Sequence, residues 1–503
     1  MGKKKSVVLL TLITIVIVVL CAMIVVPSFE LPFLWNGAVS EWNPVVKTYD
    51  LGADLGGGYY TYYYPEGIIS ETEYKDECES FEDADKLAEY QKSYTRYKET
   101  GLYMSTDPDD GVVEETEGGK YEVKEAFKTA FAAAEEEIAA RYEKKGYSSF
   151  RVSVVDDFAL RVELPVSDTA AATSFNYLAY TGAFTLHDGT KTVFEEGKDV
   201  AAKDYFKSFS PKTSGKSTYV MIKLTKKGQE KIKEITTALA ASSDSSSGST
   251  GGTLSFKVGD NSVIQLTVSE AINEKTLYIG GSDTYTYETA QTVSILLNSA
   301  INAGDLGITF KVDETRTFEA AYGSNALTLL YIALAIVLVA CLVVPVIKYR
   351  GFGGACLYST LSYLIVTAIC FAFITSGIFE VTLGSVLIFL FGLLLTNVLN
   401  AHVYGAIKSE FETGKTVESS VKAGYKKTLA GVIDIYAVLA LGAAALLIGA
   451  AGLHTMALQA LICIATGAFC NLLWTRFINC MLLSASKNKY KYFRFVREDD
   501  DDE

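Results

Sequence analysis

The residue types that most often perform chemistry are few in this sequence and are not spaced for a shared site. Its three histidines, His187, His402 and His454, lie far apart, and no Cys-x-x-Cys pair occurs, which argues against a structural zinc site. The catalytic motifs His-Glu-x-x-His and Gly-x-Ser-x-Gly are also absent. We therefore expect no metal site, no cofactor and no catalytic residue, and the chain is not expected to be an enzyme.

Two segments end like a phosphate-binding loop, namely Gly215-Lys216-Ser217 and Gly414-Lys415-Thr416. The first glycine of such a loop is replaced by Ser210 in one segment and by Ser409 in the other. Without that glycine, the cradle of backbone N–H groups is not expected to form.

The charge and cysteine content exclude two further classes of protein. The formal net charge is −14, from 45 Lys and Arg against 59 Asp and Glu, which argues against a nucleic-acid-binding protein. Of the eight cysteines only Cys78 lies in the long polar stretch of the chain, so no disulfide framework is expected there.

Apolar residues are concentrated in one block at the start of the chain and in several blocks after about residue 326, and the mean hydropathy is +0.21. Each block has about the 20 residues that span a bilayer. The first block is longer than the apolar core of a secretory signal, so we interpret it as an uncleaved helix. The six predicted spans are Ser6–Pro27, Leu327–Ile347, Ala355–Thr375, Val381–Tyr404, Leu429–Gly449 and Met456–Leu483.

Every basic cluster falls on one side of this six-span plan. The clusters are Lys3–Lys5, Lys348–Arg350, Lys408–Lys427 and Lys487–Arg497. By the positive-inside rule, both termini are cytoplasmic and the polar stretch is extracytoplasmic. The predicted domains are the N-terminus with its first helix (1–27), an extracytoplasmic domain (28–326), a five-helix bundle (327–483) with a cytoplasmic loop (405–428), and a charged cytoplasmic tail (484–503).

The polar stretch alternates helical and strand patterns, which indicates an α+β domain. Predicted helices cover 121–145, 226–239 and 288–303, and predicted strands cover 151–155, 159–164, 219–224 and 307–312. A Ser/Gly-rich flexible loop is predicted over Ser242–Gly252.

The most distinctive string is Leu51-Gly52-Ala53-Asp54-Leu55-Gly56-Gly57-Gly58. Taken alone, it is typical of a glycine-rich turn before a strand, because glycine permits backbone conformations that other residues resist. Alternating tyrosines, Tyr60, Tyr62 and Tyr64, follow it as a strand pattern.

The string resembles the LGxDLxGG signature of the SecD family, which likewise follows a first transmembrane helix. The matching residues are Leu51, Gly52, Asp54, Leu55, Gly57 and Gly58. Weaker resemblances occur in the family's order along nearly the whole chain, at Arg141, Arg161–Pro165, Leu297–Leu306, Tyr349–Gly354, Gly424–Lys427 with Asp434, and Thr475-Arg476.

The resemblance implies six transmembrane helices of the RND type, with a large α+β domain made of a ferredoxin-like base and an inserted head at roughly 185–285. It implies a multi-pass protein of the bacterial inner membrane that binds the emerging preprotein and assists late export. The implied partners are a SecF-like subunit and the SecYEG channel, in contact with membrane lipids and without nucleic acid.

The sequence departs from the family where proton coupling is expected. The fourth span of SecD usually carries an aspartate, and Thr396 stands at the matching position. Asn397, Asn400 and His402 are the other polar candidates in this span, with hydrogen bonding between helices as the simpler explanation for the asparagines. Asp434, in the fifth span, is interpreted as an acid at a helix start, and Glu380 is placed in water near a span end.

Two alternatives stay open. An RND-type transporter of small molecules or lipids usually has twelve spans, which this chain lacks. A membrane-anchored binding domain without a transport cycle would explain the missing aspartate, but not five additional spans.

Overall fold

The computed structural model describes residues 3–493 except for 27–28, 32–39, 43, 46–48, 99, 117–118, 148, 167, 190, 196–200, 215–216, 242–251, 282–284, 324, 375–379 and 450–452. The predicted Ser/Gly-rich loop, apart from Gly252, and the tail beyond residue 493 therefore lie outside the described residues. The chain forms two compact units. The membrane unit comprises residues 1–57 and 319–503, and the α+β unit comprises residues 58–318.

The membrane unit begins with one long helix, followed by short strands and a helical turn. These elements are α1 (Lys3–Val25), β1 (Phe29–Leu31), β2 (Ser40–Trp42), β3 (Asp50–Leu51) and α2 (Ala53–Gly56).

The α+β unit follows with strands and helices in alternation. In chain order its elements are β4 (Gly58–Pro65), β5 (Ile68–Ser70), α3 (Glu71–Ser80), α4 (Ala84–Lys92), β6 (Tyr94–Arg96), β7 (Leu102–Ser105), β8 (Val113–Thr116), β9 (Lys120–Val123), α5 (Glu125–Lys145), β10 (Arg151–Val155), β11 (Ala159–Pro165), α6 (Ala171–Leu178), β12 (Phe184–Asp188), β13 (Lys191–Glu195), β14 (Phe206–Ser214), β15 (Ser217–Leu224), α7 (Lys226–Ala241), β16 (Gly252–Val258), β17 (Asn261–Val268), β18 (Thr276–Gly281), α8 (Tyr287–Ala303), β19 (Phe310–Val312) and β20 (Arg316–Phe318).

The base of the α+β unit is ferredoxin-like, as the resemblance implies. Its antiparallel strands lie in the order β10-β11-β4-β19, and β20 also pairs with β4. Helices α5 and α8 connect these strands in the β-α-β-β-α-β sequence of that fold. A three-residue turn, 156–158, connects β10 and β11, and its first two residues, Asp156 and Asp157, have positive φ.

A second group of strands is inserted between α6 and α8. It forms a four-stranded sheet, β13-β12-β16-β17, and a three-stranded sheet, β14-β15-β18, with helix α7. The rings of Phe184, Phe206 and Phe256 are fully buried against one another between these strands.

The membrane unit resumes with long apolar helices. They and the short elements between them are α9 (Ala326–Tyr349), α10 (Gly351–Ile374), β21 (Glu380–Val381), α11 (Leu383–Glu412), α12 (Val417–Gly449), α13 (His454–Phe469), α14 (Thr475–Ala485) and α15 (Lys489–Phe493). A π-helical turn, Cys470–Trp474, joins α13 to α14 into one span.

Within the described residues, six helices are long and apolar enough to cross a membrane, so the chain is a multi-pass membrane protein as predicted. The segment 405–428 differs from the predicted loop. Helix α11 extends to Glu412 and α12 already begins at Val417. This segment is rich in residues that favour helices, so the helices continue beyond their apolar parts.

A buried ion pair joins three helices of the α+β unit. The ammonium of Lys145, at the end of α5, lies 2.7 Å from a carboxylate oxygen of Asp168, and both side chains are fully buried. It also donates to the hydroxyl oxygens of Ser174 on α6, at 2.6 Å, and Thr292 on α8, at 3.2 Å. Burial lowers the pKa of Lys145, and the Asp168 carboxylate opposes that shift.

We predict that Lys145→Met destabilises the full-length protein by about 3–5 kcal/mol, because Asp168 is left buried without its counter-ion. Thermal unfolding in detergent measures this loss. Lys144→Met removes a neighbouring exposed lysine and should have little effect. The double variant Lys145→Met/Asp168→Leu should recover most of the stability, and a Lys145→Met protein as stable as the control would contradict the prediction.

Candidate functional site: a polar cluster between the membrane helices

The signature string lies beside the start of helix α11. Strand β3 pairs in parallel with β21, and the Gly52 N–H donates to the carbonyl oxygen of Val381 at 3.1 Å. A carboxylate oxygen of Asp54 accepts a hydrogen bond of 2.7 Å from the Leu383 N–H, the first residue of α11. The first N–H groups of a helix have no partner within it, and a carboxylate there is favoured by the helix dipole. Asp54 therefore caps α11 from a distant part of the sequence.

The other signature residues shape the chain around Asp54. Leu55 is buried. Gly57 has φ 69° and ψ −159°, a conformation open to glycine and strained for other residues. A Cβ on Gly58 would lie 2.0 Å from the carbonyl oxygen of Leu164. This geometry supports a structural role for the glycines.

The same end of α11 contains further buried polar groups. Thr382 and Ser385 form a capping box. Glu380 is only 2% exposed, and the Gln459 amide donates to its backbone carbonyl at 3.2 Å. The placement of Glu380 in water was therefore wrong, because the pairing of β21 with β3 draws this residue into the protein.

The predicted polar residues of α11 form a cluster with α10. The Asn397 side-chain oxygen accepts from the Cys356 thiol at 3.1 Å and the Thr360 hydroxyl at 3.2 Å. The Asn400 amide donates to the Ser359 hydroxyl at 3.4 Å. These contacts are the hydrogen bonds between helices that the asparagines were expected to make.

Thr396 faces a second set of polar groups, on α12 and the last span. It is fully buried and donates to the Gly392 carbonyl at 2.8 Å. A Cβ on Gly467 would lie 3.2 Å from the Thr396 hydroxyl and 2.9 Å from the Tyr436 hydroxyl. The Asn471 amide donates to the Tyr436 hydroxyl at 2.8 Å. Asn471 lies in the π-helical turn, a distortion that is frequent at functional sites.

The two titratable candidates lie apart from this cluster. His402 and Asp434 are exposed on the surface of the membrane unit. Asp434 is well inside α12, which begins at Val417, so its interpretation as an acid at a helix start was wrong. Because the charged loop proved to be helical, the helix dipole does not explain this residue.

The cluster is built from Thr, Asn, Ser, Cys and Tyr side chains. Amides and aliphatic hydroxyls do not titrate, and thiols and phenols lose their protons only in alkaline solution in ordinary surroundings. Among the described residues, no group of three or more His, Cys, Asp or Glu could hold a metal ion. The arrangement can hold helices in register, and at neutral pH it offers no carboxylate for taking up a proton.

The partners of Thr396, Asn397 and Asn400 were not predicted from the sequence. Polar residues at Cys356, Ser359, Thr360, Tyr436 and Asn471 interrupt otherwise apolar spans. That interruption was the available signal. Which of them pair with one another depends on the packing of four helices.

The comparisons with known proteins agree with this architecture. No family model matches the chain. A SecD protein translocase subunit of Synechocystis is 25% identical over 271 residues, which cover 52% of this chain and 54% of that protein. The chain thus spans about half the length of the curated relative it matches.

Two solved structures of SecDF are also similar. The super-membrane-facing form has a TM-score of 0.52 at 15% identity and covers 96% of this chain and 58% of that one. A Thermus structure, described as a translocon-associated membrane protein, has a TM-score of 0.41 at 15% identity and covers 97% of this chain and 60% of that one. The first of these likenesses defines the fold class, a six-helix membrane unit with a large α+β domain of the SecDF type. The sequence match adds a similarity to SecD over about half of the chain.

We predict that Asp54→Ala destabilises the full-length protein by about 1 kcal/mol, because the Leu383 N–H loses its acceptor. Asp54→Asn keeps an acceptor oxygen and should lose less. Thermal unfolding in detergent of the two variants, beside Asp76→Ala on the exposed helix α3, makes the comparison. Equal stability of Asp54→Ala and Asp76→Ala would show that the cap contributes nothing.

Proposed function

We propose that this chain is a SecD-like subunit that assists late protein export, together with the SecYEG channel and a SecF-like partner. One observation carries the proposal. The SecD signature at Leu51–Gly58 caps α11, the helix in which the family places its proton-coupling residue, so the signature and that helix are used together here.

In the proposed orientation, the end of the bundle that carries the basic residues is cytoplasmic. Lys348, Lys415, Lys422 and Lys489 all lie at this end, near the ends of α9, α11, α12 and α14. We call it the basic end. The positive-inside rule then places the α+β unit outside the cytoplasm, where it meets the emerging polypeptide.

A row of tyrosines on β4 is the proposed contact surface for that polypeptide. Tyr60, Tyr62 and Tyr64 are half-buried and lie with neighbouring ring centroids 5.8 and 6.1 Å apart. The Arg161 guanidinium lies 4.5 Å from the Tyr60 ring centroid. Rigid aromatic rings supply large contact area at low entropic cost, and their hydroxyls adapt to different hydrogen-bond partners. Such a surface suits extended chains of varied sequence.

A groove of about 570 Å³ runs beside this row. One wall carries Tyr62, Tyr64 and Arg316, and the other carries acidic residues of helix α3, including Glu73 and Asp76. Side chains of both charges line the groove, so polar as well as aromatic residues of a passing polypeptide can find partners there.

We predict that a photo-reactive phenylalanine analogue in place of Tyr62 cross-links to a stalled export intermediate in cells. The same analogue in place of Tyr121, an exposed tyrosine on the β9 strand of the same unit, is the control and should cross-link much less. Co-purification of the SecYEG channel with the chain tests its association with the export machinery. Equal cross-linking at both positions would reject the tyrosine row as the contact surface. If no polypeptide is cross-linked and no channel co-purifies, the export role and the proposed orientation are rejected.

The proposed SecF-like partner covers the face formed by α11 and α12. Exposed apolar residues line an open groove of about 450 Å³ there, among them Phe391, Val438 and Leu446. Asp434 is exposed on the same helix α12. A carboxylate in a spanning helix is costly in lipid and usually faces a partner or water. A second six-helix half would shield it.

We predict that this chain alone does not conduct protons in vesicles under an imposed pH gradient, because its polar cluster contains no carboxylate. Flux should appear when the SecF-like partner is added. Proton flux from the chain alone, abolished by Asp434→Asn, would reject this and make Asp434 the carrier. Flux abolished by His402→Ala instead would assign that role to the histidine.

The two alternatives give different outcomes in these experiments. A small-molecule or lipid transporter would not cross-link to an export intermediate. A membrane-anchored binding domain would cross-link but would gain no flux with a partner.

A further inference from the structure

We propose a binding site for the phosphodiester headgroup of an anionic phospholipid at the basic end of the bundle, between α12 and α14. A pocket of about 300 Å³ lies there, lined among others by Lys422, Arg476, Lys489, Glu418 and Tyr425. The inference needs only that the helices span a membrane and does not depend on the proposed role in export.

The charge of the pocket is unbalanced in favour of an anion. It contains three basic side chains and one carboxylate, and that carboxylate, of Glu418, is already paired with Lys489. Among the described residues, Lys422 and Arg476 form no ion pair with an acidic side chain. Basic pockets between helices at the cytoplasmic side of membranes are the usual sites for anionic headgroups.

Arg476 is held in a position suited to a phosphate. Its guanidinium lies 5.7 Å from the Tyr425 ring centroid. The Tyr425 hydroxyl accepts a 2.7 Å hydrogen bond from the buried amide of Asn479 on the same helix as Arg476. A guanidinium that stacks on a fixed ring keeps its N–H groups free for two-point contact with phosphate oxygens.

The surroundings of the pocket favour a lipid over a free phosphate ion. Helix α12 runs away from the basic end, and exposed Leu429 and Ile433 continue the face of Lys422 toward the middle of the bundle. The last span runs in the opposite direction, so exposed Leu473 lies deeper than Arg476. On both helices, a cation near the basic end is followed by exposed apolar side chains toward the middle of the bundle. A phospholipid has the same arrangement, because its phosphate lies at the membrane surface and its acyl chains extend inward.

The test uses the full-length chain in nanodiscs of phosphatidylcholine with increasing phosphatidylglycerol, and bound lipids are counted by native mass spectrometry after release. We expect phosphatidylglycerol to be retained in preference to phosphatidylcholine. The double variant Lys422→Gln/Arg476→Gln should weaken retention roughly 25-fold, at about fivefold for each cation.

The control is Lys348→Gln/Arg350→Gln, which removes one lysine and one arginine from the same end but outside this pocket. It should retain phosphatidylglycerol within about threefold of the unmodified chain. Both pairs of side chains are exposed, and unchanged thermal unfolding in phosphatidylcholine checks that the variants fold. Equal loss in the two double variants, or equal retention of the two lipids, would overturn the proposal. Displacement of the lipid by millimolar inorganic phosphate would also overturn it, since the site would then recognise phosphate alone.

Discussion

Hydrocarbon offers no hydrogen-bond partners, and each polar group on a buried face of a membrane helix must find one within the protein. This constraint is strongest at helix α11. Its apolar part carries buried Thr396 and Asn400, and its first N–H groups have no partner within the helix. The cluster with α10, α12 and the last span supplies hydrogen bonds to the buried side chains, and Asp54 accepts one from the first N–H groups. Apolar side chains gain little by moving from lipid into the bundle, so these hydrogen bonds specify the packing of the bundle more than the apolar residues do.

The polar cluster is built from hydroxyl, thiol and amide groups. The Thr396 hydroxyl donates to the Gly392 carbonyl of its own helix, and Tyr436 and Asn471 fill the neighbouring space. The cluster therefore joins the helices through neutral hydrogen-bonding groups, with no carboxylate among them. Two carboxylates of the membrane unit lie outside the cluster. Asp54 caps helix α11, and Asp434 is exposed on the surface of α12.

In the α+β unit, the structural requirement is that the base stays packed although a second group of strands, the head, is inserted into it. The head leaves the base after α6 and returns to it at α8, and the Lys145–Asp168 pair with Ser174 and Thr292 links α5, α6 and α8 at this point. A buried charge pair is a poor source of stability but a demanding geometric constraint. It fixes the relative placement of the three helices at the point where the insertion begins and ends.

The sequence by itself determined the features that depend on local pattern. Long apolar stretches defined the six spans, alternation and helical periodicity defined most elements of the ferredoxin-like base, and the motif order along the chain indicated SecD. Tertiary structure alone decided which polar groups meet. Asp54 and Leu383 are 329 positions apart, and Asn471, in the π-helical turn, donates to Tyr436 on another helix. The same holds for the error at Glu380. Local sequence shows how polar a residue is, whereas its exposure depends on distant strands and helices that pack against it or leave it bare.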